Sequence, residues 1–121
     1  MYELTVEDHF SAAHNLRGYQ GECEKLHGHN WLVQVRVQAE QLDKLEMVVD
    51  FRELRYALKQ VLGPLDHAYL NDVPPFDEQN PTTENMCRYI AEALGDLLPE
   101  HVQVQRVTCW ESEKCSASYV P

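Results

Sequence analysis

Two segments of the chain alternate between apolar and polar positions, the pattern of a β-strand with one buried face. In the N-terminal segment the even-numbered positions share one face and include Leu4, Val6, Phe10, Ala12 and His14. In residues 27–38 the odd-numbered positions share one face and include Trp31, Val33, Val35 and Val37. We therefore predict two strands, joined by a polar loop over residues 15–26.

Two later segments carry apolar residues at the spacing of an amphipathic helix. Asp50 is placed to cap the first helix, which Gly63 and Pro64 end; its stripe is Phe51, Leu54, Leu58, Val61, Leu62 and Leu65. Thr82 or Thr83 is placed to cap the second helix, which Pro99 ends; its stripe is Met86, Tyr89, Ile90, Ala93, Leu94, Leu97 and Leu98. Both stripes predict helices that bury one side.

Alternation returns in residues 101–111, and its parity switches near Arg106, which indicates a β-bulge. A short last strand follows at Cys115, Ala117 and Tyr119. The predicted order is strand, strand, helix, helix, strand, strand. This order favours one α+β domain over residues 1–121, a four-stranded antiparallel sheet with two helices on one face.

The charge balance excludes some classes of partner. The 121 residues include 20 acidic and 10 basic side chains, for a formal net charge of −10. Such a chain offers no broad basic surface for nucleic acid or an anionic membrane, and no apolar run approaches the ~20 residues of a membrane span. The first residues lack the features of a secretory signal, and the four cysteines form no CxxC pair, so we expect a cytoplasmic protein with reduced thiols.

Three histidines fall on the predicted buried faces. His27 and His29 share parity with Trp31, and His14 shares parity with Phe10. Three buried imidazoles without partners would be costly to desolvate, whereas three neutral histidines suit zinc and leave a fourth position open for catalysis. The pattern therefore predicts a zinc site, the alternative being ordinary core or surface histidines.

Other reactive side chains admit two interpretations each. Cys23 precedes His27 by four residues, so it is either an activated thiol or a small buried residue. Asp66 and His67 are adjacent, which suits either proton relay or a turn. Glu111 has the inward parity of its strand; it either accepts the paired N–H groups of a guanidine-like heterocycle or pairs with an arginine.

A set of short motifs, taken in this order, resembles the 6-pyruvoyl-tetrahydropterin synthase family over nearly the whole chain. They are Phe10-Ser11-Ala12-Ala13-His14, Cys23-Glu24-Lys25-Leu26-His27-Gly28-His29-Asn30, Val48-Val49-Asp50-Phe51, Leu65-Asp66-His67-Ala68-Tyr69-Leu70-Asn71, Asn80-Pro81-Thr82-Thr83-Glu84-Asn85 and Trp110-Glu111-Ser112. Within the family, the Cys-x-x-x-His-Gly-His spacing is similar to that of the bacterial 6-carboxy-5,6,7,8-tetrahydropterin synthases of queuosine biosynthesis.

The resemblance implies a tunnelling fold, in which three sheets join into a barrel and two trimers stack into a homo-hexamer. It implies zinc on His14, His27 and His29. The implied catalytic residues are Cys23, Asp66 and His67. The implied pterin-binding residues are Glu111, as the anchor of the ring, and Thr82, Thr83 and Glu84.

The implied reaction converts 7,8-dihydroneopterin triphosphate to 6-carboxy-tetrahydropterin, acetaldehyde and triphosphate. Arg17, Lys25 and Lys114 are candidate partners of the triphosphate in this acidic chain. Glu24, beside Cys23, resembles family members that cleave dihydroneopterin for folate synthesis, so that activity and 6-pyruvoyl-tetrahydropterin synthesis stay open. Two further hypotheses are a non-catalytic pterin- or purine-binding metal module and zinc hydration chemistry.

Overall fold

The computed structural model describes residues 1–21 and 24–121. In chain order the elements are strands β1 (Tyr2–His14) and β2 (His27–Ala39), helix α1 (Phe51–Leu62), strand β3 (Ala68–Tyr69), a 3₁₀ turn (Leu70–Asp72), helix α2 (Thr83–Gly95), and strands β4 (Gln103–Ser112) and β5 (Cys115–Tyr119). The α+β class, the two helices and the four predicted strands are confirmed.

The prediction of a four-stranded, wholly antiparallel sheet is wrong. In the part of the chain that the structure describes, the sheet has five strands in the order β3-β1-β2-β4-β5, and β3 runs parallel to β1. Ala68 and Tyr69 pair with Ala12 and Ala13. A strand of two residues is too short to alternate visibly, and only the turn after α1 brings it beside β1, so local patterning could not reveal it.

The helices cover one face of this sheet. α1 packs on β1, while α2 packs on β4 and β5. The inward residues Val33 and Val35 of β2 are completely buried, as are Leu54 of α1 and Ile90 of α2. Burial of this apolar layer supplies the main stabilisation of the domain.

The predicted bulge is present in β4. Arg36 of β2 pairs with Arg106, whereas the next residue, Val37, pairs with Val104, so Gln105 is the extra residue. Because of this extra residue, Val104 and Val107 can both face the helices although they differ in parity.

Both helix starts carry the predicted type of cap. The Asp50 carboxylate accepts a hydrogen bond from the Arg52 amide at 2.7 Å, and the Thr82 hydroxyl accepts one from the Asn85 amide at 3.1 Å. α2 ends at Gly95, before the predicted stop at Pro99, because Gly95 and Asp96 are poor helix formers. Neither this helix nor any other in the described residues has the length and apolarity to cross a bilayer.

Candidate metal centre and adjoining groove

The pairing of β1 with β2 brings the three histidines together. His14 lies directly opposite His27, and Ala12 lies opposite His29. Residues opposite each other and two apart on a strand project from the same face. The ring centroids lie 4.5 Å apart for His14 and His27, 5.2 Å for His14 and His29, and 4.9 Å for His27 and His29.

Glu111 of β4 completes a four-residue cluster with these histidines. Its Oε1 lies 3.1 Å from His29 Nε2 and 3.6 Å from His14 Nε2. One ligand atom from each of the four residues lies within 4.8 Å of all the others. The cluster can therefore hold a metal ion.

Backbone carbonyls fix the orientation of two of the rings. Nδ1 of His14 donates to the Pro81 carbonyl at 2.8 Å, and Nδ1 of His27 donates to the Lys25 carbonyl at 2.7 Å. A neutral imidazole that donates through Nδ1 presents a lone pair at Nε2. This arrangement is the usual outer-shell support of a metal-binding histidine.

Two ring nitrogens that face the cluster are buried. His14 is 1% exposed, and within residues 1–21 and 24–121 neither Nε2 of His14 nor Nε2 of His29 has a hydrogen-bond partner, the nearest acceptor being the Glu111 carboxylate. Trp31, whose ring centroid lies 5.0 Å from each of these two imidazoles, forms an apolar wall. Burial lowers the pKa of His14 and of His29 below the ordinary histidine value because it disfavours the imidazolium. Unprotonated nitrogens facing a carboxylate oxygen suit a cation between them, so the residues fit a divalent metal.

Asp66 and His67 form a hydrogen-bonded pair apart from the four-residue cluster. His67 Nδ1 lies 3.0 Å from Asp66 Oδ1, and the same carboxylate oxygen accepts the Ser11 amide at 2.9 Å. The hydrogen bond from the Ser11 amide is the largest of the effects that lower the pKa of Asp66. The His67 side chain is 82% exposed, and its backbone φ of 59° is in the left-handed region.

One groove reaches both groups of side chains. It has a volume of about 1160 Å³, and its walls include His29, Glu111, His67, Ala68 and Trp110. The candidate metal centre and the Asp66–His67 pair therefore border a common space. A smaller hollow of about 580 Å³ extends from Asp66 and His67 across the sheet face opposite the helices.

The predicted substrate residues meet at a separate cavity. Thr83, Glu84 and Glu111 line a cavity of about 170 Å³, together with Cys115 and Ser116. The Thr82 hydroxyl, by contrast, caps α2. The structure thus brings Glu111 to both the metal cluster and this cavity, which its sequence position alone did not indicate.

The cysteines within the described residues are either buried or exposed. Cys23, the predicted catalytic thiol, lies outside the described residues. Cys87 and Cys109 are buried free thiols, and Cys115 is exposed. The Cys87 thiol donates to the Ala117 carbonyl at 3.2 Å, and the pKa of Cys109 is raised by its contact with Cys87 and by burial.

Arg17, a predicted triphosphate partner, contacts the protein itself. One guanidinium nitrogen, Nη2, donates to the Phe76 carbonyl at 2.6 Å and to the Gln79 carbonyl at 2.7 Å. This nitrogen of Arg17 is therefore directed at the loop before α2.

The chain as a whole matches a known protein family. Residues 3–121 match the family model described as 6-pyruvoyl tetrahydropterin synthase. The chain belongs to the 6-pyruvoyl tetrahydropterin synthase family. It is an α+β member whose histidine and glutamate side chains can hold a metal ion.

Similar proteins carry more than one activity name. The 6-carboxy-5,6,7,8-tetrahydropterin synthase of Haemophilus influenzae is 38% identical, with 98% of this chain and 99% of that protein aligned. The dihydroneopterin monophosphate aldolase of Pyrococcus furiosus is 36% identical, with 87% of this chain and 85% of that protein aligned. The solved structure of Caenorhabditis elegans 6-pyruvoyl tetrahydropterin synthase superposes with a TM-score of 0.85 at 30% identity, covering 100% of this chain and 97% of that one.

Proposed function

We propose that the protein is a zinc-dependent 6-carboxy-5,6,7,8-tetrahydropterin synthase of queuosine biosynthesis. It would convert 7,8-dihydroneopterin triphosphate and water to 6-carboxy-tetrahydropterin, acetaldehyde and triphosphate, as a carbon–carbon lyase. The observation that carries the proposal is the cluster of three histidines with Glu111, of which His29 and Glu111 border a groove that also reaches His67. Its membership in the family supports a pterin substrate.

His14, His27 and His29 would hold the zinc ion. Neutral imidazole nitrogens are common zinc ligands, and three of them leave a position open to substrate. A bound zinc ion would supply Lewis-acid polarisation of the substrate's side-chain oxygens.

Glu111 would bind the amino-pyrimidinone edge of the pterin. A carboxylate can accept two parallel N–H groups from such a guanidine-like edge, and charge-assisted bonds of this kind are stronger than neutral ones. Its side chain is 36% exposed and borders the small cavity beside Thr83 and Glu84, so a ligand can reach it. Thr82 would contribute to the same pterin-binding site, because its hydroxyl caps the helix start that carries Thr83 and Glu84.

Asp66 and His67 would move protons on the substrate side chain. The Asp66 carboxylate holds the His67 ring through Nδ1, which leaves Nε2 for proton exchange. The ring is exposed to the groove, where a substrate carbon can approach it. Cys23 would act as the second proton-transfer group, a role that rests on the family resemblance.

We extend the proposal to assembly and location. Among the described residues, β3 and β5 are the outer strands of the sheet, and outer strands can pair with further chains. A homo-hexamer built as a dimer of trimers, acting in the cytoplasm, would cover them.

A second candidate activity is aldolase cleavage of dihydroneopterin. The observation that favours it is the 36% identity to the Pyrococcus furiosus aldolase, together with the exposed Glu24 in the loop before the histidine pair. In this reading Glu24, rather than Cys23, would be the essential proton-transfer residue.

Product analysis tests both candidates. The zinc-loaded protein is incubated with 7,8-dihydroneopterin triphosphate, with and without a chelator, and the products are identified by mass spectrometry. Acetaldehyde with a carboxy-pterin supports the main proposal, while glycolaldehyde with a hydroxymethyl-pterin supports the aldolase. A pyruvoyl-pterin indicates the third family activity, and binding without turnover indicates a non-catalytic module.

Two variants sharpen this result. Cys23→Ala should abolish formation of the carboxy-pterin and retain zinc, whereas Glu24→Gln should leave it nearly unchanged. The opposite pattern, or full activity in Cys23→Ala, would remove the thiol from the mechanism.

A further inference from the structure

The chain just after His14 is held in place by side-chain amides. The Asn71 amide accepts from the Asn15 N–H at 3.0 Å and donates to the Asn15 carbonyl at 2.9 Å. The Asn80 amide makes the same pair of bonds with Arg17, at 2.9 Å each. Each asparagine side chain thus makes, with the backbone N–H and C=O of one residue, the two hydrogen bonds that a neighbouring strand would otherwise make.

The Arg17 side chain also binds the loop that contains Asn80. Its guanidinium donates hydrogen bonds to the Phe76 and Gln79 carbonyls, in addition to the two bonds between the Arg17 backbone and the Asn80 side chain. On the far side, the Asn80 carbonyl accepts from the Asn85 side chain of α2 at 2.9 Å. Residues 76–80 are therefore fixed both to the segment that follows β1 and to the start of α2.

This loop leads directly to the outer-shell partner of His14. Pro81 follows Asn80 in the chain, and its carbonyl receives the His14 Nδ1–H in the buried interior. His14 itself precedes Arg17 by three residues. The contacts between Arg17 and Asn80 therefore join the two chain segments that supply the donor and the acceptor of this one hydrogen bond.

We infer that Arg17 and Asn80 are positioning residues for the metal, because they hold the Pro81 carbonyl against Nδ1 of His14 and so keep the ring oriented with Nε2 toward the ion. The inference rests on the metal site proposed above. Arg17 would thus support the metal ligand His14, and substitution of Arg17 should weaken metal binding.

Zinc affinity is the measurement that distinguishes positioning from simple structural support. Outer-shell partners of metal-binding histidines typically change metal affinity by about 10- to 100-fold. We expect Arg17→Met and Asn80→Ala each to weaken binding of zinc alone by about tenfold, in competition with a chromophoric chelator. Arg17→Lys, which keeps a donor nitrogen, should lose less.

His101→Ala provides the matched control. His101 Nε2 bonds the Val48 carbonyl at 2.9 Å, so it also joins two distant segments through a side chain and a carbonyl, but it is not one of the four clustered residues. This variant should keep wild-type zinc affinity even if its urea midpoint falls as far as that of Arg17→Met. An equal loss of affinity in the control would overturn the inference.

Double variants test whether the effect passes through His14. Arg17→Met should cause no further loss in a His14→Ala background and the full tenfold loss in a His27→Ala background. Equal losses in both backgrounds would contradict the inference, as would unchanged zinc affinity in well-folded Arg17→Met and Asn80→Ala. If the unaltered protein bound no zinc, the proposed metal site would fall as well, so the two failures are distinguishable.

Discussion

The three-histidine cluster and the Asp66–His67 pair border one groove but are built in opposite ways. The cluster stands on two long paired strands, with His14 1% exposed and its pKa lowered by burial. The pair stands on a turn after α1, with His67 82% exposed and the pKa of Asp66 lowered mainly by a backbone amide. One region favours neutral, fixed nitrogen atoms, and the other favours an ionised carboxylate beside an accessible ring.

This difference matches two different chemical tasks. A metal ligand must be deprotonated and rigid, and burial between strands provides both conditions. A proton-transfer group must meet its substrate, so exposure and a hydrogen-bonded orienting acid are more useful to it. In the proposed mechanism, the buried region would bind the metal ion and the exposed region would transfer protons.

Removal of one cluster histidine should have the largest effect. His14→Ala deletes a ligand, so zinc affinity should fall by more than about a hundredfold, beyond the loss typical of outer-shell changes. Turnover should fall with it. His9→Ala is the control, because His9 lies on the same strand but on its opposite face and should leave zinc stoichiometry unchanged. Full zinc binding by His14→Ala would show that the cluster is not the metal site.

Removal of the exposed ring should impair catalysis without affecting the metal. We expect His67→Asn to lower kcat by about 10²- to 10⁴-fold, the usual contribution of a general acid or base. Its zinc content, measured on the purified protein, should equal that of the unaltered chain. Loss of zinc together with activity would mean that the two regions are not separate.

Glu111 can serve either the pterin or the metal, and its substitution distinguishes these two roles. In the proposed pterin-binding role, Glu111→Gln would remove a charge-assisted bond that contributes about 1.5–3 kcal/mol. If Glu111 anchors the pterin, KM should rise by about 10- to 100-fold while zinc affinity changes little. A loss of zinc affinity with an unchanged KM would assign it to the metal instead.

The smallest effect should come from the charge of Asp66. Its pKa is lower in the folded chain than the ordinary value of about 3.9, so the folded state binds fewer protons and gains stability above that pH. This gain is lost as the pH falls through the folded pKa. Asp66→Asn should lack it, so the difference in urea midpoint between the two proteins should shrink from pH 6 to pH 3. A difference independent of pH would contradict the assignment.

Local patterning predicted the strands, both helices and the faces of the three histidines, because alternation and helical spacing act over neighbouring residues. It did not predict β3, whose two residues pair with Ala12 and Ala13 across more than fifty positions of chain. Nor did it predict the Pro81 carbonyl behind His14, since a backbone atom carries no signal of its own in the sequence.

The sequence alone determined which residue types were available and on which side of each strand they would project. Only the tertiary structure decided that His14 faces His27, that Glu111 reaches the same cluster, and that Arg17 turns toward the Phe76 and Gln79 carbonyls. The reason is physical: side-chain direction follows from local backbone geometry, whereas register, loop closure and the pairing of distant polar groups follow from how the whole chain packs.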